Sequence, residues 1–173
     1  DASALYVAVR ADDPEPAKIV GQLTRRDQFS PSDWIRVFID SFHDRRTGFM
    51  FQTNPLGAVN DQLMTDEGAV SNRDWNTVWD ARARRFDKGW IVEFVIPFRS
   101  LRYPAPGPQD WGVQFRRVAR GENEFSYLTP MPAALNPSGD VFGGWIMSMV
   151  DIAAAVPAMR HAKSKVATVS VDS

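Results

Sequence analysis

The chain has 173 residues, of which 44% are apolar, 12% aromatic and 24% charged. These proportions predict one packed domain and exclude a disordered, collagen-like or coiled-coil chain. Twenty Lys and Arg against 21 Asp and Glu give a net charge of -1, so no basic field draws the chain to nucleic acid. The absence of Cys removes disulfides, thiolate nucleophiles and zinc-thiolate or iron–sulfur sites. No apolar run approaches the ~20 residues of a membrane-spanning helix, so the chain is not expected to cross a membrane itself.

From the N-terminus, Leu5, Val7 and Val9 alternate with Tyr6, Ala8 and Arg10, a period of two that predicts a strand ending at Asp12-Asp13-Pro14. Lys18 to Thr24 is weakly strand-like. In DWIRVFID, Ile35, Val37 and Ile39 share one face and Trp34, Arg36 and Phe38 the other, which predicts a strand covered on both sides. FMFQTN follows as a strand, closed by the turn Asn54-Pro55-Leu56-Gly57. Val59 to Met64 is a short strand, and DEGAVSNRD is a polar excursion.

Trp79, Ala81 and Ala83 begin the next strand. After the turn Asp87-Lys88-Gly89, GWIVEFVIP aligns Trp90, Val92, Phe94 and Ile96 on one face, the clearest strand in the chain. PFRSLRYP is too short and Pro-bounded for more than one helical turn. Trp111, Val113 and Phe115 mark another strand, and Glu124 to Leu128 and Gly144 to Val150 two more, separated by the Pro-rich TPMPAALNPSG. The last stretch, 151–173, reads as a C-terminal arm or linker because Pro157 interrupts it and its end is small and polar. Strands at intervals of about 8–12 residues without intervening helices predict an all-β antiparallel sandwich over residues 1–150. Its core is expected to hold Trp90, Val92, Phe94, Ile96, Val113 and Phe115.

Few residues carry chemistry. His43 and His161 are far apart in sequence, and no nucleophile elbow, phosphate loop, dinucleotide fingerprint or metalloprotease motif is present. Glu93 lies mid-strand and is the one candidate acid for glycoside hydrolysis, a reaction that needs two carboxylates. Asp40, Asp61 and Asp80 fall at strand ends or edges. Asp40 and Asp44 flank a tight loop where a structural calcium could bind, though they offer only two carboxylates. The mixed-sign runs Arg25-Arg26-Asp27 and Asp44-Arg45-Arg46 read as self-neutralising loop ends. Trp34, Trp90 and Trp111 read as core and Trp79 as turned inward. Trp75, in NRDWNTVWD, fits equally as core and as an exposed platform for a sugar ring or a protein partner.

The ordered series ALYVAVRADDPEPAKIVGQLTRRDQFSPSDWIRVFIDSFHDRRTGFMFQTNPLGAVND, NRDWNTVWDARAR, GWIVEFVIPFRSLRYP and QDWGVQFRRVAR resembles the carbohydrate-binding family 9-like domain of bacterial envelope proteins, many of which continue into an outer-membrane barrel-like region. The resemblance covers about residues 4 to 122 and implies a jelly-roll or immunoglobulin-like β-sandwich, here without the family's first strand. It also implies a periplasmic or outer-membrane-associated, non-catalytic module that binds an envelope glycan. With no catalytic motif in view, the chain is expected not to be an enzyme and to need no cofactor. A second reading is an accessory subunit docked on the periplasmic side of a membrane complex, anchored by Trp75, Arg45 and Arg46. A third is a glycoside hydrolase using Glu93.

Overall fold

The computed structural model describes residues 3–104 and 107–128. Nine strands follow in chain order: β1 (Ala4–Asp12), β2 (Trp34–Asp40), β3 (Gly48–Thr53), β4 (Val59–Thr65), β5 (Val70–Asn72), β6 (Asp80–Phe86), β7 (Gly89–Pro97), β8 (Gly112–Ala119) and β9 (Glu124–Tyr127). All pairings are antiparallel. They build a three-stranded sheet, β1-β7-β6, and a six-stranded sheet, β5-β4-β3-β2-β8-β9. Among the described residues the helical elements are two 3-10 turns, Pro16–Lys18 and Phe98–Ser100.

Alternation along the strands creates the core. β7 sends Trp90, Val92, Phe94 and Ile96 inward, all at most 1% exposed, to meet Ile35, Val37 and Ile39 of β2 and Phe49 and Phe51 of β3 in one cluster. Val113 and Phe115 are only partly buried and pack against its margin. Trp79, just before β6, joins the sheets. Its ring stacks on Phe94 at 5.9 Å and meets Phe51 edge-on at 5.2 Å, contacts worth about 0.5–1.5 kcal/mol each beyond area burial. Trp34 lies in a separate small cluster with Ala58 and Val118, and Trp111 is half-buried beside Phe98 and Tyr103.

Three local expectations need correction. Lys18 to Thr24 is not a strand, because side chains take up its backbone: the Val20 N–H donates to Asp33 and the Gln22 N–H to Ser32 Oγ. The polar excursion contains β5, three residues that extend the sheet edge by pairing with Leu63–Thr65, a span too short to show a period. Asp61 is neither terminal nor at an edge. It lies in the middle of β4, fully buried opposite Phe51. The proposed strand 144–150, the Pro-rich loop before it and the arm 151–173 lie outside the described residues.

Candidate functional site

The two faces of the six-stranded sheet have different chemistry. On the inner face β2, β3 and β8 place Ile35, Val37, Ile39, Phe49, Phe51, Val113 and Phe115. The residues between them face outward, and register arranges these in rows. Arg36 of β2 stands opposite Arg116 of β8 on one side and Gln52 of β3 on the other. In the next row Phe38 stands between Gln114 and Met50, and Met50 is paired with Gln62. Gln52 and Gln114 are 0% exposed although they lie on this outer face.

A hollow of about 310 Å³ opens over these rows, walled by Phe29 and by the segment carrying Gly68, Ser71 and Arg73. Three guanidinium groups line it, those of Arg36, Arg73 and Arg116, and among its described lining residues there is no carboxylate. Arg36 Nε donates to the Gln52 side-chain oxygen. Arg116 lies 4.5 Å over the Phe125 ring and 5.4 Å over Tyr127, and Arg73 lies 5.3 Å over Phe29. Burial, followed by repulsion from Arg116 and Arg73, pulls Arg36 down to about 10, and burial lowers Arg116 as well. Two donors of this region, Arg116 Nε and Gln52 Nε2, are buried without a hydrogen-bond partner.

The residues singled out from sequence lie elsewhere, and none of Trp75, Arg45 and Arg46 lines this hollow. Trp75 is half-buried, with its ring 5.2 Å from Phe49 and 6.2 Å from Phe51, so the indole is lodged against the core. Arg45 and Arg46 are exposed on the β2–β3 loop. That loop is organised by carboxylates: Asp40 accepts the N–H groups of Asp44 and Arg45, and Asp44 accepts those of Arg46 and Thr47. The oxygens considered for calcium are thus engaged by backbone donors, as in a capped turn. Glu93 faces solvent opposite Arg82 on β6, so the glycosidase reading loses the buried acid it needed. A second hollow, of about 490 Å³, lies beside Phe98, Tyr103 and Trp111.

The strand period put Arg36 on the face opposite Ile35, Val37 and Ile39 but did not join it to Arg116. The available signal was an Arg or Gln in each of three strands at positions alternating with large apolar residues. Only register shows that these positions are neighbours.

Comparison with known proteins brings in another part of the chain. A model of the thioesterase superfamily matches residues 138–173. An acyl-CoA thioester hydrolase of Buchnera aphidicola (subspecies Baizongia pistaciae), itself described as uncharacterized, is 55% identical over 42 residues, 24% of this chain and 31% of that protein. The acyl-CoA thioester hydrolase YciA of Escherichia coli K12 is 50% identical over 42 residues, 24% of this chain and 32% of that protein. A relative from Zymomonas mobilis, also described as an uncharacterized acyl-CoA thioester hydrolase, is 54% identical over 43 residues, 25% and 29% of the two chains. The chain spans about a third of the length of the curated relatives it matches.

These similarities overturn the functional expectations. The chain is not to be read as a carbohydrate-binding family 9 module, a non-catalytic glycan binder or an accessory subunit of the envelope. The expectation of no enzymatic role also falls, since the similarity points to thioester hydrolases. The cause lies at the C-terminus, where small residues and Pro157 made 151–173 read as an arm. The thioesterase match begins before that boundary and runs through it to residue 173. It does not overlap residues 4 to 122, whose motifs carried the earlier resemblance.

Proposed function

We propose that the protein containing this chain hydrolyses acyl-CoA thioesters, with residues 138–173 forming part of its catalytic region. The similarity of that segment to the thioesterase superfamily carries the reading. In the reaction a water oxygen attacks the thioester carbonyl, the C–S bond breaks, and the proton lost by water ends on the departing thiolate. A general base is required for the water. Residues 138–173 contain Asp140, Asp151, His161 and Asp172 as candidates. The buried carboxylates of the described unit are engaged as acceptors instead: Asp13 by the Glu15 N–H and Arg117, Asp33 by the N–H groups of Val20 and Arg120, Asp40 by its loop, and Asp61 by Thr77 and Trp79.

In this reading residues 4–127 form a two-sheet unit of their own. The thioesterase-like sequence, residues 138–173, follows that unit in the chain. The test is release of coenzyme A thiol by the full-length protein that contains this chain, from acetyl- to palmitoyl-CoA, followed with a thiol-reactive dye. Thiol release above the protein-free rate is expected, with a loss of about 100-fold or more in one of Asp140→Asn, Asp151→Asn or His161→Asn. No release from any chain length would sink the reading.

A further inference from the structure

The cationic hollow on the six-stranded sheet is costly as it stands. Like charges directly opposite on neighbouring strands repel, and Arg36 and Arg116 occupy such a pair. Charged groups taken out of water are ordinarily paired or hydrogen-bonded. Here, among the described residues, neither of the half-buried Arg36 and Arg116 forms an ion pair, nor does Arg73, which is exposed at the wall. Gln52 gives Arg36 one neutral acceptor, its side-chain oxygen, and leaves its amide N–H₂ buried and unpartnered, a further donor beside the cations.

Such an arrangement selects for an oxyanion. Guanidinium forks match the two oxygens of a carboxylate or the oxygens of a phosphate, and an anion would relieve the repulsion between the two facing arginines. Beside the cations the hollow is lined by Phe29, Phe38 and Met50, together with the polar side chains of Gln62 and Ser71. Its volume of about 310 Å³ lies at the small end of ligand sites. We propose that this hollow binds a small organic oxyanion, a carboxylate or phosphate monoester, whose short apolar chain lies against Phe38 and Met50 while Arg36 and Arg116 hold the charged head. The site is independent of the thioesterase reading and is tested without any thioester.

The experiment is calorimetric titration of the full chain with hexanoate, hexyl phosphate and hexanol. At least one anion binds, and hexanol, which carries the same chain without the charge, binds at least 10-fold more weakly. The stronger of the two anions identifies the headgroup as carboxylate or phosphate. Arg36→Gln and Arg116→Gln each weaken the anion at least 10-fold, whereas Arg36→Lys, which keeps the charge but loses the fork, weakens it less than Arg36→Gln. Because the facing cations repel, Arg116→Gln leaves the melting temperature of the ligand-free protein unchanged or higher, an outcome that a purely structural role would reverse. If a sheet variant fails to fold, Arg73→Gln at the wall replaces it and weakens the anion at least threefold. Absence of binding by both anions, equal affinity for hexanol, or glutamine variants that bind as tightly as the wild type each overturn the proposal.

Discussion

The indole N–H of Trp79 donates to the carboxylate of Asp61 at 3.1 Å, a bond that runs from the residue preceding β6 of the three-stranded sheet to β4 in the other. Asp61 is fully buried among apolar neighbours and is made tolerable by three donors: this indole, the Thr77 backbone N–H at 2.9 Å and the Arg26 guanidinium. Arg26 in turn donates to the Thr77 carbonyl at 2.7 Å. One carboxylate therefore fixes the loop before β6 and the position of the aromatic stack Phe51–Trp79–Phe94.

Removing that acceptor leaves two N–H groups without it, while Arg26, 32% exposed, keeps the Thr77 carbonyl and Asp27. Asp61→Ala is expected to cost about 2–3 kcal/mol, the penalty of unsatisfied donors rather than of a stranded buried charge. Trp79→Phe keeps most of the ring packing and is expected to cost less. Urea unfolding of both variants and the double variant closes a cycle, and a coupling energy near zero would show that the bond does not act as a unit.

Phe94 has no exposed surface, and its partners lie on both sheets. Phe94→Ala is expected to lose about 3–5 kcal/mol through lost transfer energy and an unfilled cavity. A loss below about 1 kcal/mol in the same unfolding assay would mean that the two sheets do not share a single core.

Gly89 opens β7 at φ 152°, where an added Cβ would lie 2.0 Å from the carbonyl oxygen of Ala11 on β1. Backbone offers no flexible end that can move aside. Gly89→Ala is expected to cost more than about 3 kcal/mol or to prevent folding. Gly57, also at positive φ but with open space around it, serves as the control, and its alanine variant should lose only the smaller conformational cost. Equal thermal melting of the two variants would contradict this geometry.

Acid titration separates two kinds of aspartate. Burial pushes Asp33 above its ordinary value of 3.8, against the opposing pull of N–H bonds from Val20 and Arg120. A carboxyl group with a raised folded-state pKa stabilises the fold at low pH and loses that contribution as pH rises from about 3.8 through the folded value. Asp33→Asn retains an oxygen for both N–H groups and carries no charge. Its stability relative to the wild type should therefore increase as pH rises through that window.

For Asp44 burial is outweighed by donation from Arg46 and Thr47, so its pKa is lowered. Its contribution is present above 3.8 and fades as pH falls through the folded value. Stability of Asp44→Ala relative to the wild type should accordingly recover toward low pH. Parallel pH profiles for the Asp33 and Asp44 variants would refute the assignment.

What the sequence determined by itself is most of the strands, β5 excepted. Alternation is a local property, written within six to nine residues, and β7 shows it best: Trp90, Val92, Phe94 and Ile96 are read as one face and are found buried as one face. The short turn after β7 was equally legible, because Pro97 and Pro104 leave no room for more. The tertiary structure decided what lies next to what. Arg36, Gln52 and Arg116 are up to 80 residues apart in the chain, and only the register of β2 with β3 and β8 makes them one row. Asp61 looked peripheral in sequence, since nothing local tells a carboxylate that meets water from one that meets an indole and a guanidinium brought from elsewhere. Side-chain period specifies a face, whereas a site requires several faces to converge, and the long-range pairing that achieves this leaves no mark in any single strand.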